Sequence, residues 1–195
     1  MVRRNRFAGS LAALALLTVG SAAYAGIPDC TLSTIPNVVA CPDGSIATTF
    51  TIVSTSGPLN GATVELRYTA AGDAAGCWCA VQTHPTISGV TNASGQVTFN
   101  VRGGGCLNPA LVAGGVAIRV FVNNIACKEI GQVSPDVNST TSPPCTVSLS
   151  DAVDFTGPLS TGTYGFCFDL NSDNQVGLTD AVIFTAPAAN AVSCN

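Results

Sequence analysis

The stretch Ala62-Thr63-Val64-Glu65-Leu66-Arg67-Tyr68 decides the fold class, because apolar and polar side chains alternate along it. Successive side chains of an extended strand point to opposite faces, so this alternation predicts a β-strand with one buried face. Three further segments alternate in the same way, namely 49–53, 96–101 and 116–122. The chain is therefore predicted to be mainly β.

Glycine-containing pairs separate these segments. They are Gly57-Pro58, Asn60-Gly61 and Ser94-Gly95. Gly and Asn tolerate positive φ, so such pairs favour tight turns between neighbouring strands. Short, closely spaced strands with turns between them predict an all-β sandwich from residue 48 to about residue 133.

The amino-acid composition excludes two classes of protein, disordered chains and nucleic-acid-binding proteins. Of 195 residues, 47% are hydrophobic and only 9% are charged, which is too apolar for a disordered chain. Seven basic residues against eleven acidic ones give no basic patch, so nucleic acid is excluded as a partner. The length allows one domain or two small ones.

Residues 1–25 are predicted to form a secretory signal peptide. Three arginines within residues 3–6 precede an apolar run from Leu11 to Val19, and Ala23-Tyr24-Ala25 offers a small-x-small cleavage site. The alternative is a membrane anchor, but the run is short against the ~20 residues that a span needs. We expect a secreted, extracellular protein with no membrane span after cleavage.

Nine cysteines follow the cleavage site, and this density in an exported chain predicts disulfides. They are Cys30, Cys41, Cys77, Cys79, Cys106, Cys127, Cys145, Cys167 and Cys194. Four disulfides leave one cysteine over, either free or linking two chains. Cys77 and Cys79 should not pair with each other, because the backbone between them is awkward for bonded sulfurs. We expect the pairs to lie largely within each half of the chain.

The segments Pro58-Leu59-Asn60-Gly61-Ala62-Thr63-Val64-Glu65-Leu66 and Thr91-Asn92-Ala93-Ser94-Gly95-Gln96-Val97-Thr98-Phe99 resemble bacterial Ig-like and carboxypeptidase-regulatory-like domains. These families share a "gatV.l" pattern followed by T-x-x-x-G-x-x-x-F. The resemblance implies an Ig-like β-sandwich over residues 26–133. Because such families mostly serve as spacers and adhesion modules, it implies a scaffold and no catalytic residues.

The last part of the chain repeats itself. Val147-Ser148-Leu149-Ser150-Asp151-Ala152-Val153-Asp154-Phe155-Thr156-Gly157-Pro158 aligns with Val176-Gly177-Leu178-Thr179-Asp180-Ala181-Val182-Ile183-Phe184-Thr185-Ala186-Pro187. An acidic segment precedes each copy, which predicts two units of a loop followed by a short helix. Pro187 is expected to limit the length of the second helix.

The second acidic segment has the ligand spacing of a calcium loop. Asp169, Asn171, Asp173, Gln175 and Asp180 occupy positions 1, 3, 5, 7 and 12 of twelve residues. Ca²⁺ takes about six to eight hard oxygens, and side chains at alternate positions of a loop can converge on one ion. We expect Ca²⁺ rather than Mg²⁺, which prefers a tight octahedral shell with several waters. The alternative is a solvated Asn/Asp turn that caps a helix.

The two loops, each leading into a helix that begins x-L-x-D-A, resemble type I dockerins, which are small calcium-dependent modules of secreted proteins. The resemblance covers residues 134–195 and implies a dockerin-like pair of calcium repeats. It also implies a weaker second metal site at Asp136, Asn138 and Asp151, positions 1, 3 and 12 of the first loop. Twelve residues separate Asn138 from Asp151 where the family has eight, and no residue clearly matches the acid of position 5.

The dockerin resemblance further implies a protein partner with a cohesin-like domain. Cellulosomal dockerins carry a hydroxyl pair at positions 10 and 11 and basic residues farther along the helix. This chain has Leu149-Ser150 and Leu178-Thr179 at those positions, and no Lys or Arg follows Lys128. A cohesin-like domain and a second copy of this chain both stay open as partners. The two leucines could instead pack the two repeats together or dock on the neighbouring sandwich.

Catalysis finds little support in the sequence. The only histidine, His84, lies near Cys77 and Cys79, and a free thiol beside it would form a catalytic pair. We expect both cysteines to be disulfide-bonded instead. The sequence thus predicts a secreted, disulfide-stabilised, calcium-binding structural or adhesion protein that is not an enzyme. The alternative is an assembly module that docks through its tail in an extracellular polysaccharide-degrading or surface complex.

Overall fold

A computed structural model describes residues 26–138 and 144–194. The predicted signal peptide, residues 1–25, lies outside the described residues, and so does part of the insertion in the first loop. Within the described ranges the chain is mainly β, with several sheets and three α-helices. None of the described helices combines the length and the apolar character needed to cross a membrane.

The strands are β1 Val38–Val39, β2 Thr48–Thr51, β3 Val53–Ser54, β4 Gly57–Pro58, β5 Thr63–Tyr68, β6 Cys77–Trp78, β7 Thr86–Val90, β8 Gln96–Phe99, β9 Gly103–Gly104, β10 Ile118–Val122, β11 Ile125–Ile130, β12 Gln132–Val133, β13 Cys145–Thr146 and β14 Ser193–Cys194. The helices are α1 Ala70–Ala75, α2 Leu149–Thr161 and α3 Leu178–Ala189, and a 3₁₀ turn spans Phe166–Phe168.

The main sheet has four antiparallel strands in the order β11-β10-β5-β7. Val64, Leu66 and Tyr68 of β5 are buried and alternate with half-buried polar side chains. On β10, Val120 stands opposite Leu66 and is also buried. The alternation in the sequence therefore correctly predicted these strands and the face that each one buries.

A second, two-stranded sheet, β2 paired with β8, shares its hydrophobic core with the main sheet. Phe50 and Phe99 meet edge to face with ring centroids 5.4 Å apart. Edge-to-face packing places the positive rim of one ring against the negative face of the other. The segments 49–53 and 96–101 thus contribute strands, as predicted.

Residues 48–133 are not all-β, because α1 lies among the strands. Thr69 begins this helix, and its Oγ1 accepts a hydrogen bond from the backbone N–H of Gly72. Such N-capping satisfies a donor that the first helical turn leaves unpaired. The helix is short and built mostly of alanine, and the period-2 pattern of the flanking strands does not extend into it.

Helices α2 and α3 follow the two acidic loops, as the repeat predicted. Phe155 and Phe184, which are equivalent in the repeat, stack with ring centroids 4.7 Å apart and an interplanar angle of 6°. Contrary to the expectation that Pro187 limits α3, the helix continues two residues beyond it, and α2 likewise continues beyond Pro158. Near a helix C-terminus a proline removes only one of the last hydrogen bonds.

The helical tail has no hydrophobic core of its own. Phe155, Leu170 and Phe184 pack with Val39 of β1 and Val133 of β12. Strands β1 and β12 pair in parallel and belong to the other half of the chain. The predicted boundary near residue 134 therefore passes through a shared core.

Four disulfides join Cys30 to Cys127, Cys77 to Cys145, Cys79 to Cys194 and Cys106 to Cys167. Disulfide bonding is confirmed, and Cys77 and Cys79 do not pair with each other. The expectation that pairs lie largely within each half is wrong, since three of the four join the predicted sandwich half, residues 26–133, to the tail, residues 134–195. The reason is spatial. Cys145 and Cys194 stand opposite each other on β13 and β14, and β13 contacts β9, which pairs with the Cys77 strand β6.

Candidate metal centre

Asp169 anchors the second loop from within. Its side chain is only 1% exposed, and its two carboxylate oxygens accept hydrogen bonds from the backbone N–H groups of Asp173 and Asn174, both at 3.0 Å. Asn174 has a φ of +65° at loop position 6, where the chain must turn sharply. Asn is among the residues that adopt this left-handed conformation most readily. The loop thus curls around the carboxylate of position 1.

Asp180 closes the loop from the first turn of α3. It is 1% exposed, and its carboxylate accepts hydrogen bonds from the N–H groups of Asn171 at 3.1 Å and Gly177 at 2.9 Å. The positive end of a helix stabilises a carboxylate at this place. Positions 1 and 12 of the loop are therefore both buried acids that face the loop backbone.

The middle of the loop is more open. Asn171 donates from Nδ2 to the Oδ2 of Asp173 at 2.9 Å, and the N–H of Gln175 donates to the Oδ1 of Asp173 at 2.8 Å. The carboxylates of Asp169, Asp173 and Asp180 do not all lie within 4.8 Å of one another. The structure therefore brings the five predicted residues into one loop but leaves the carboxylates apart from a common centre.

The electrostatics of the loop favour a cation. Burial raises the pKa of Asp169 above its ordinary value, and the charges of Asp180 and Asp173 raise it further. The two backbone N–H groups that donate hydrogen bonds to its carboxylate act in the opposite direction and lower the pKa. Partial burial and the neighbouring Asp169 carboxylate also raise the pKa of Tyr164. Burial and neighbouring acids make a carboxylate harder to ionise, and a bound divalent cation would offset that cost.

The first loop repeats two of these contacts. The N–H of Asn138 donates to Asp151 at 3.3 Å and the N–H of Ser148 donates to Asp151 at 2.8 Å. These bonds are equivalent to those that Asp180 accepts in the second loop. Asp136, at position 1, is 1% exposed, as Asp169 is. Asn138 and Asp151 thus make the contacts that positions 3 and 12 make in the second loop, and Asp136 shares the burial of position 1.

One acid beside the first loop was missed by the sequence analysis. Asp154 of α2 accepts a hydrogen bond from Asn138 Nδ2 at 3.0 Å, just as Asp173 does from Asn171 in the second loop. The repeat places Ile183 opposite Asp154, and this difference between the copies is the signal that the sequence offered. Residues 139–143, where the acid of position 5 was sought, are outside the described part of the chain.

The donor set of the second loop fits Ca²⁺ by its chemistry. It consists of carboxylate and amide oxygens with a backbone carbonyl at position 7, which are the hard ligands that this ion takes. The metal-ligand clusters that stand closer together among the described residues are sulfur-rich, namely Cys79-Cys145-Cys194 and Cys77-Asp136-Cys145. Their cysteines are disulfide-bonded, so they present no thiolate to a metal.

A catalytic pair of His84 with Cys77 or Cys79 is not formed, because both cysteines are disulfide-bonded and offer no free thiol. His84 Nδ1 lies 2.7 Å from the carboxylate of Asp73, and its ring stacks on Trp78 at 4.9 Å with an angle of 3° between the planes. Trp78 also donates from its indole N–H to the backbone carbonyl of Asp73 at 2.9 Å. In this arrangement His84 holds its loop against Trp78.

Each of the two helices exposes two large apolar side chains, and these stand at equivalent places in the repeat. Leu149 and Leu178 are 81% and 79% exposed, and Val153 and Val182 are 64% and 66% exposed. The leucines therefore neither pack the two repeats together nor dock on the neighbouring half of the same chain, and both of these expectations are wrong. No protein-family model, curated protein or solved structure matches this chain.

Proposed function

We propose that this chain is a secreted, disulfide-stabilised structural or adhesion protein that binds Ca²⁺ in its second loop and has no catalysis of its own. The observation that carries the proposal is the second loop itself, with buried acids at positions 1 and 12, Asn174 in the left-handed conformation, and oxygen donors between them. The ion would be held by Asp169, Asn171, Asp173 and Asp180, with the backbone carbonyl of Gln175. It would neutralise three acids and stabilise the folded tail by mass action.

The first loop is the weaker site of the proposal. Asp136, Asn138 and Asp151 offer the same oxygens, but four additional residues separate position 3 from position 12 compared with the dockerin pattern. A longer loop costs more conformational entropy to order around an ion. We therefore expect weaker calcium binding here than at the second loop.

Calorimetry on the mature, oxidised protein tests the proposal. We expect a heat of binding when Ca²⁺ is titrated and a lower melting temperature in a chelator. Asp169→Ala should remove most of both effects, and the matched variant Asp136→Ala should remove less. A melting profile unchanged by chelation, with no heat of binding at millimolar Ca²⁺, would contradict the proposal.

Several features favour the extracellular setting and the resemblances drawn from the sequence. Four disulfides are typical of exported proteins. Two sheets that share one core are compatible with the proposed Ig-like sandwich, and the two loop–helix units with a dockerin-like pair. Mass spectrometry of the protein from culture medium tests secretion, since its N-terminus should then be Gly26.

The exposed apolar residues of α2 and α3 favour a second candidate, an assembly module that docks through its tail. Leu149, Val153, Leu178 and Val182 are exposed at equivalent places of the two helices, and neither helix carries a basic residue. An exposed apolar patch is a common mark of a protein interaction site, and in this proposal the four side chains form one. The partner would be a cohesin-like domain or a second copy of the chain.

Pull-down from culture medium and size-exclusion chromatography, each with calcium and with chelator, distinguish the two proposals. Docking predicts a complex that is lost on chelation and in the variant L149D/L178D. A monomer without partner in both conditions would contradict docking and leave the structural role.

A further inference from the structure

The second loop is joined to the sandwich half by a chain of hydrogen bonds. Ser172, at loop position 4, accepts a hydrogen bond at its Oγ from the backbone N–H of Asn37, at 3.2 Å. The Oδ1 of Asn37 accepts in turn from the N–H of Gly131 at 3.0 Å, and the carbonyl of Gly131 accepts from the N–H of Val38 at 3.0 Å. Ser172 is not among the proposed ligands, so its side chain is free to serve this contact.

Apolar packing follows the same route. Leu170, at loop position 2, is 1% exposed and packs in the core that holds Val39 of β1 and Val133 of β12. Phe166, just before the loop, approaches Gly131 so closely that a Cβ at this glycine would collide with its ring. Leu170 of the loop thus packs with both strands, and the 3₁₀ turn that leads into the loop packs against β12.

Strand β12 continues this connection to the main sheet. The side chain of Gln132 is fully buried, accepts a hydrogen bond from the Tyr68 hydroxyl at 2.8 Å and donates to the carbonyl of Gly104 at 3.1 Å. Tyr68, on β5, packs edge to face against Trp78 with ring centroids 4.7 Å apart. A continuous set of contacts therefore runs from the metal loop to the single tryptophan of the chain.

We infer that the second loop and the sandwich half unfold as one cooperative unit, so that Ca²⁺ bound at Asp169–Asp180 stabilises the sandwich through β1 and β12. This inference rests on the proposed calcium site. Coupling of this kind is reciprocal: if the ion stabilises the strands, the strands must strengthen binding of the ion by the same factor. Residues of the sandwich half that do not touch the proposed ligands, such as Asn37, should then contribute to the calcium affinity.

Trp78 gives a readout in the sandwich half. Urea unfolding of the mature, disulfide-intact protein is followed by Trp78 fluorescence and, in parallel, by far-ultraviolet circular dichroism. In CaCl₂ both midpoints should rise together relative to the chelated protein. Coincident transitions are the test of a single cooperative unit.

The reciprocal arm uses a residue outside the loop. Asn37→Ala should weaken Ca²⁺ binding about five- to tenfold by calorimetry, at the lower end of the range of allosteric coupling. The matched control Asn100→Ala, at an exposed position after β8, should leave the affinity unchanged. Ser172→Ala should act as Asn37→Ala does, and native Trp78 emission shows that each variant is folded.

The outcomes separate this inference from the proposal beneath it. A heat of calcium binding with an unmoved Trp78 midpoint, or with an Asn37→Ala affinity equal to that of wild type, overturns the coupling and leaves the calcium site. No heat of binding in the wild-type protein overturns the calcium site and the inference together. A shared midpoint shift with weakened binding in both variants supports the coupling.

Discussion

Gly104 leaves the space that the carboxylate of Asp136 occupies. A Cβ at Gly104 would collide with Asp136 Oδ2 and would lie 3.0 Å from the Cβ of Cys145. All three residues are buried, so nothing nearby can move into solvent to make room. The absence of one side chain thus positions the first acid of the first loop.

We expect Gly104→Ala to lower the free energy of unfolding by about 1–3 kcal/mol, the usual cost of overpacking. The matched change Gly157→Ala should raise it by up to about 1 kcal/mol, because this exposed glycine lies within α2 with open space around it. The second repeat already has Ala186 at the equivalent place before a proline. Chemical denaturation measures both, and equal effects would contradict the argument from packing.

Cys41 is the one cysteine outside a disulfide in the described residues, which include all nine. It is fully buried, and burial together with the hydrogen bond that it donates to Asp43 raises the pKa of its thiol to about 11. The thiolate is the reactive form of cysteine, so both the burial of Cys41 and its raised pKa protect this residue from reaction.

A colorimetric thiol reagent at pH 8 should therefore detect almost no thiol in the native protein and one per chain in denaturant without reductant. The pKa is raised, so native reactivity should stay low until the pH approaches 11. Rapid reaction of the native protein at pH 8 would contradict burial. No thiol in denaturant would indicate that Cys41 links two chains.

Each helix of the tail has an inward and an outward apolar side. Phe184 is 7% exposed and stacks on Phe155, whereas Leu178, at the start of the same helix, is 79% exposed. The two residues are both large and apolar, yet only one removes its surface from water within this chain. Burial, rather than residue type, decides how much each stabilises the fold.

Phe184→Ala should lower the free energy of unfolding by about 3 kcal/mol, through lost burial and a cavity. Leu178→Ala on the same helix should change it by less than about 0.5 kcal/mol, as surface substitutions do. Thermal unfolding of the two variants in saturating calcium provides the comparison. A large loss in Leu178→Ala would place that side chain in a buried contact and contradict the exposed apolar face.

At the scale of the whole molecule, the disulfides make the tail and the sandwich half inseparable. Near the start of the tail Cys145 is bonded to Cys77, and near its end Cys194 is bonded to Cys79. Cys167, which lies just before the second loop, is bonded to Cys106. The shared core around Val39 and Val133 reinforces these links. The tail is thus fixed at both ends and beside its second loop.

Mass-spectrometric mapping of the unreduced protein should recover these three crosslinks and the Cys30–Cys127 pair. Cleavage of the chain between the halves should leave the two parts joined until a reductant is added, because three disulfides cross that boundary. Release of a free tail without reductant, or a peptide with Cys145 bonded to Cys194, would contradict this connectivity.

Local patterns in the sequence were sufficient to predict the strands and to identify the twelve-residue spacing of the proposed ligands. The alternation in 62–68, the glycine pairs and the twelve-residue spacing from Asp169 to Asp180 all depend on residues within one turn, one strand or one loop. Their physical cause is the backbone geometry of a few consecutive residues, which the sequence alone specifies. The structure agrees with the predicted strands and places the predicted ligands in one loop.

What only the tertiary structure decided involves residues far apart in the chain. The cysteine partners and the hydrogen bond from Asn37 to Ser172 join residues separated by 61 to 135 positions, and Leu170 packs with Val39 of β1 and Val133 of β12. No local pattern encodes such pairs, because they depend on which surfaces meet once the sheets and helices have formed. For the same reason the sequence suggested two separate halves, whereas packing built one shared core.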